Sequence, residues 1–257
     1  MADEILCTIK DGIATITMNR PEKRNALNTA LLEGLTNIFP QLESNPEVRV
    51  VVIRGEGKAF CSGLDLRELS SRQAGGGDPE TGVTKIFQQI ERSRHPTIAM
   101  VQGDALAGGC ELALHCDLRV ASDAARFGMP LARLGLVVPF PLGQKLVEII
   151  GPAFTKQILF TGQPIDAKRA YEIGMIHQLV SASELEPATY TLARTIADNA
   201  PLSLAGMKAT ILRSISWRET INYQDLGDMV NRARKSADAQ EGVKAMLEKR
   251  KPVFHGE

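Results

Sequence analysis

The chain carries no net charge: 30 Lys and Arg offset 30 Asp and Glu across 257 residues. Non-specific binding to nucleic acid or to an anionic membrane needs a net basic field, and this sequence has none. It also lacks a Lys/Arg-rich stripe with interleaved aromatics, and aromatics are scarce at 5% with a single Trp. No apolar run approaches the roughly 18–20 residues of a membrane span. The opening MADEILCTIK sets acids before a short apolar stretch, unlike a signal or transit peptide. The expectation is a cytoplasmic protein with neither nucleic acid nor membrane as partner. Cysteine is also sparse. Cys7, Cys61, Cys110 and Cys116 form no C-x-x-C pair, and His95, His115, His177 and His255 show no ligand spacing. Free thiols, without metal or disulfide framework, are expected.

What is present reads as an α/β core followed by a helical piece, divided at 1–184 and 185–257. Residues 5–9 and 13–18 are rich in β-branched side chains and flank Asp11-Gly12, a tight-turn dipeptide, so a hairpin opens the chain. Helical spacing of Leu31, Leu35, Ile38 and Leu42 follows, with Asn28 as cap and Pro40 expected to kink or end the helix. VRVVVIRG (48–55) is a continuous apolar run of strand length. Residues 70–82, with three consecutive glycines, have loop composition. A helix is marked by Val83, Ile86, Phe87 and Ile90, and strands by 97–103 and 117–122. Helices are expected at 141–151, 153–161 and 167–173, a strand near 176–180, and helices near 185–199, 202–215, 218–235 and 238–250. The last has Asp238 and Glu241 in capping-box spacing.

Two glycine-containing turns each follow a probable buried strand: GKAFCSGLDL (57–66) and VQGDALAGGCEL (101–112). In the second, Gly108-Gly109 opens a helix that carries Glu111 in its first turn. Glycine there exposes backbone N–H groups, and the helix dipole favours negative charge. Two such turns converging would supply a pair of donors to a developing oxyanion. Ser62 in F-C-S-G lacks the nucleophile elbow of a serine hydrolase.

The segments NRPEKRNALN (19–28), GKAFCSGLDLREL (57–69), GDALAGGCELALHCDLRVAS (103–122) and EKRKPVFHG (248–256) resemble the crotonase family, also called the enoyl-CoA hydratase/isomerase family. The resemblance covers nearly the whole chain, with four separated motifs in order. It implies a spiral of ββα units with a helical C-terminal oligomerisation region, assembled as a homotrimer or homohexamer. The implied substrate is an acyl-CoA thioester, handled with no metal or organic cofactor. The implied oxyanion donors are the N–H groups of Leu64 and Gly108, with Glu111 as acid/base. Arg24, Ala26, Asp65, Leu66 and Arg67 fall where the family binds CoA. Phe87, Met129, Leu131 and Phe140 are candidates for the acyl pocket.

The sequence departs from the family where hydratases carry a second glutamate, after a proline: here Leu131 follows Pro130, and a Leu moves no proton. The label enoyl-CoA hydratase is therefore expected from resemblance, while three chemistries stay open. Glu111 could act alone, shifting a double bond as an isomerase. His115, one turn after Glu111, or Arg133 or Asp65, could replace the missing acid, although a packed core histidine is the simpler reading of His115. The substrate could itself supply the missing group, as in family members that hydrolyse or decarboxylate CoA thioesters. A non-catalytic binding homologue is the reading from another class.

Overall fold

The computed structural model describes residues 4–68, 79–215 and 221–256. Asp11 and Gly12 both take positive φ, 51° and 78°, the primed turn whose twist suits a hairpin. They join β1 (Ile5–Lys10) to β2 (Ile13–Met18) antiparallel. The helix α1 (Thr29–Ser44) follows, its first turn capped by the Asn28 side chain accepting the Leu31 N–H at 2.9 Å. The stop or kink expected at Pro40 does not end α1, which runs four residues further. The proline ring deprives the Thr36 carbonyl of its helical donor, and the Gln89 side-chain amide meets that carbonyl at 3.5 Å instead.

The chain then alternates between two sheets. After β3 (Val50–Gly55) come α2 (Pro79–Arg92), β4 (Thr97–Val101), β5 (Asp104–Leu106), α3 (Gly108–His115), β6 (Leu118–Ser122) and β7 (Arg126–Gly128). A 3-10 turn at Pro130–Leu134 leads to α4 (Phe140–Thr161), β8 (Ile165–Asp166), α5 (Ala167–Glu172) and β9 (Gln178–Val180). The large sheet has the order β1-β2-β3-β4-β6-β9, parallel from β2 onward, and the small one β5-β7-β8. Two units run from a large-sheet strand to a small-sheet strand and into a helix, β4–β5–α3 and β6–β7–α4. This is the spiral of ββα units. The helix α4 is broken at Gly151 (φ 70°, ψ 167°), which accounts for its two separate helical segments in the sequence.

β3 is apolar from Val50 to Ile53 because both its faces are covered there. Val51 and Ile53 face a core shared with α1, α2, α3 and α4, while Val50 and Val52 face a second cluster. That second cluster is closed by Leu185 and Ala193 of α6 (Leu185–Ala197). Beyond it lie α7 (Pro201–Ile215), α8 (Gln224–Lys235) and α9 (Ala237–Leu247). The helical region is thus continuous with the sheet through α6, and α9 packs on the 130–134 turn, where a Cβ at Gly242 would lie 2.5 Å from the Leu134 carbonyl carbon. The expected capping box of α9 is displaced. Ser236 caps it, accepting the Ala239 N–H at 3.0 Å. Asp238 and Glu241 instead strap the tail: Asp238 accepts the N–H groups of His255 and Gly256 at 2.7 and 2.8 Å, and Glu241 pairs with Arg250. The 70–82 loop expected from composition lies largely outside the described residues.

Candidate active site

The two glycine turns are sewn together by backbone. Cys61 N–H donates to the Asp104 carbonyl, and Leu106 N–H to the Cys61 carbonyl, both at 3.0 Å. The contact is close enough to require glycine: a Cβ at Gly109 would lie 2.1 Å from the Cys61 oxygen. On its other side the first turn pairs with Leu27, which donates to the Gly63 carbonyl at 2.8 Å and accepts from Asp65 N–H at 3.0 Å. In this bridge the Leu64 N–H points away from Leu27. Neither it nor the Gly108 N–H, the first of α3, has an acceptor among the described residues. A Cβ on Gly108 would stand 3.8 Å from the Leu64 nitrogen, so the two donors are neighbours. Between the turns Ala107 holds φ 47° and ψ −123°, a conformation costing an L-residue about 1–3 kcal/mol. Its N–H is fixed to the Gly128 carbonyl at 2.8 Å.

One turn into α3, Glu111 is fully buried, and neither carboxyl oxygen has a hydrogen-bond partner among the described residues. Burial pushes its pKa well above the ordinary carboxylate range, and the charge of Lys145 pulls back only in part. A carboxyl held this way is a stronger base when ionised and a ready proton donor when not.

Leu64, Gly108 and Glu111 share a cavity of about 560 Å³. Its inner wall is apolar, with Met129, Leu131, Leu136, Leu142, Met246 and Leu247. Lys23, Arg24, Ala26, Asp65, Leu66 and Arg67 also line it, so every position expected to meet CoA borders this one space. Glu22 and Asp65 are its other carboxyl groups. Glu22 is exposed, and Asp65 is occupied, accepting the Arg67 N–H at 3.2 Å and pairing with Arg20 at 3.3 Å. Ser62 borders the cavity, and no histidine is hydrogen-bonded to it among the described residues.

Four candidates lie elsewhere. Phe87, Phe140 and His115 line a second cavity of about 290 Å³. Phe87 stacks on His115 and Phe140 on Tyr223, with ring centroids 4.9 and 4.7 Å apart. His115 keeps to the face of Glu111, its Nδ1 3.9 Å from Oε2, yet it is one turn deeper and does not line the larger cavity. Burial lowers its pKa to about 4, so the ring is neutral near pH 7. Arg133 does not line the acyl cavity either; its stem packs at Gly162.

Two residues that the sequence reading missed hold the site in shape. The Arg20 guanidinium joins Glu4 at 3.2 Å, Asp65 at 3.3 Å and the Ala26 carbonyl, locking the cationic turn to the 64–67 segment. Fully buried Asn25 donates to the carbonyls of Glu56, Ala59 and Phe60 and accepts the Arg20 N–H, which holds that turn at φ 50° and 53° for Arg24 and Asn25. Among the described residues no cluster of His, Cys, Asp and Glu could hold a metal, and no helix is long and apolar enough to cross a membrane. All four cysteines are free, and burial pushes the Cys61 and Cys116 thiols up to about 12.

Two neighbouring backbone N–H groups beside a buried carboxyl, on a spiral of ββα units, match the arrangement that the resemblance to the crotonase family implies. A family model described as enoyl-CoA hydratase/isomerase matches residues 8–257, and the chain belongs to that family. It is 34% identical to the short-chain-enoyl-CoA hydratase of Clostridium acetobutylicum over 94% of each chain. It is 36% identical to the human mitochondrial enoyl-CoA hydratase domain-containing protein 3, covering 96% of this chain and 82% of the relative. Among solved structures it is similar to methylmalonyl-CoA decarboxylase complexed with 2S-carboxypropyl CoA, with TM-score 0.91 and 31% identity over the full length of both chains. The protein is an enzyme of hydratase/isomerase type acting on CoA thioesters.

Proposed function

We propose that this enzyme moves a proton between two carbons of an acyl-CoA chain, converting a 3-enoyl to a 2-enoyl thioester, with Glu111 as the single acid/base. The observation that carries the reading is that Glu111 is the one buried carboxyl lining the described cavity, while Leu131 stands where a second would be needed to hold and split water. Ionised Glu111 takes a proton from C2, and the thioester oxygen gains enolate charge against the N–H groups of Leu64 and Gly108. The same proton returns to C4 as the double bond moves from C3–C4 to C2–C3. Two fixed donors lower the barrier without reorganising, each worth about 10²–10³ in rate. Arg24 and Arg67, exposed at the mouth, would meet the CoA phosphates, with Ala26 and Leu66 bordering the nucleotide. These steps need no cofactor.

A second reading is favoured by the raised pKa of Glu111 and by the likeness to methylmalonyl-CoA decarboxylase. A 2-carboxyacyl-CoA would lose carbon dioxide as its C2–carboxylate bond breaks, the same donors would hold the enolate, and protonated Glu111 would deliver its proton to C2. The test is a panel of 3-enoyl-, 2-enoyl- and 2-carboxyacyl-CoA thioesters, read by absorbance of the conjugated thioester and by carbon dioxide release. Conversion of 3-enoyl to 2-enoyl without hydration supports isomerisation. Hydration of 2-enoyl-CoA overturns the single-carboxyl reading, and silence on all three points to a binding homologue. The proposal extends to a cytoplasmic homotrimer or homohexamer. Exposed Leu202, Met207 and Ile211 on α7 and Met229 on α8 support assembly, and sedimentation measures its mass.

A further inference from the structure

Glu111 has a neighbour that the chemistry above leaves unused. The second cavity carries polar side chains, Gln88, Glu91, Gln144 and Lys145, beside apolar ones, and it reaches the ring of His115. That ring thus borders the second space and approaches the Glu111 carboxyl group. The Nδ1 atom lies 2.8 Å from the Glu111 carbonyl, which can only accept, so Nδ1 carries the hydrogen and Nε2 is the free acceptor. From Nδ1 it is 3.9 Å to Glu111 Oε2. The charged groups acting on the ring come from three elements: Glu91 on α2, Lys145 on α4 and Arg119 on β6. Lys145 bonds Glu91 at 2.5 Å and Glu148 at 3.4 Å.

We infer that His115 is a proton port, passing protons between water in the second cavity and Glu111 while the acyl group fills the first. In the charging step the Nδ1–H turns from the Glu111 carbonyl to ionised Oε2. The N–H bond breaks, an O–H bond forms, and Nε2 takes a proton from a water whose hydroxide is neutralised by bulk solvent. The ring is left in its other tautomer, and the reverse sequence discharges Glu111. A space of about 290 Å³ admits several waters. The port resets Glu111 when it is left in the wrong protonation state. His115 acts through Glu111 and does not touch the substrate. The inference rests on Glu111 moving protons at a bound acyl group, whichever of the two reactions it serves.

The test is exchange in D2O. Butanoyl-CoA is incubated with the enzyme and deuterium at C2 is counted by mass spectrometry. In parallel, deuterium per molecule of 2-enoyl product is measured from 3-enoyl-CoA. In H115F, which keeps an aromatic ring against Phe87, C2 exchange is expected to fall about tenfold or more, the usual scale for losing a proton-transfer group. Deuterium per product molecule falls with it, independently of the turnover that remains. H115A is expected to regain exchange when imidazole is added, a readout that a structural defect would not give. If H115F fails to fold, H115Q and the imidazole titration of H115A carry the same test. Equal deuterium per product in wild type and H115F, or no response of H115A to imidazole, overturns the port. E111Q separates the two levels: exchange lost in E111Q but intact in H115F removes the port alone, whereas exchange intact in E111Q removes the Glu111 assignment.

Discussion

Glu111 and Glu91 both lie near the His115 ring, Glu111 lining the larger cavity and Glu91 the smaller one. Burial raises the pKa of both. For Glu91 burial is the largest single influence, but the charge and hydrogen bond of Lys145, at 2.5 Å, act together with the charges of His115 and Arg92, and the net shift is downward. For Glu111 the same lysine acts only through space, burial wins, and the net shift is upward. One cation thus accompanies a downward shift where it is hydrogen-bonded and only partly offsets an upward one where it is not.

The most forceful way to break the contrast is E111Q, which is expected to cut turnover about 10³-fold, near the middle of the range for losing a general acid or base. Steady-state rates on the accepted thioester check it; unchanged turnover would remove Glu111 from the mechanism. G108A follows. Its methyl group would lie over the Leu64 N–H, and a loss in kcat of about 10²-fold is expected for a blocked oxyanion donor, with the fold retained by circular dichroism. A pH profile comes next. If ionised Glu111 is the base, kcat/KM rises with pH through its elevated pKa. K145M removes the only opposing influence and moves that rise to higher pH. If protonated Glu111 is the donor, as in decarboxylation, the limb is inverted and rate falls with pH. The smallest effect is on stability. A carboxyl with raised pKa contributes stability that is full below the ordinary carboxylate range and lost as pH rises through its folded value. E111Q is therefore expected to exceed wild type by about 1–2 kcal/mol near pH 7 and to lose that advantage toward pH 4, by urea unfolding.

Much of this arrangement is legible in the sequence where one element carries its own signal. The VVVIRG strand, the Asp11-Gly12 hairpin and the glycine turn opening onto Glu111 are local patterns with local causes. The small sheet is not legible, because β5, β7 and β8 have three, three and two residues, too short to show an alternation. Arg20 and Asn25 look like ordinary loop polars until their partners at positions 4, 56–60 and 65 are brought to them. Phe87 and Phe140 are apolar in any window, and apolarity does not say which of two cavities a ring will border. At Pro40 the Thr36 carbonyl that loses its helical donor is met by a side chain 53 residues further along, that of Gln89. What the linear pattern lacks in each case is the identity of a distant partner.

The packing of α9 on the 130–134 turn has a consequence for biosynthesis. A ribosome has delivered Leu64, Gly108 and Glu111 once α3 has emerged, but Met246 and Leu247, which also line the cavity, come from the far end of the chain. A nascent or C-terminally clipped polypeptide without α9 therefore lacks these two side chains of the lining.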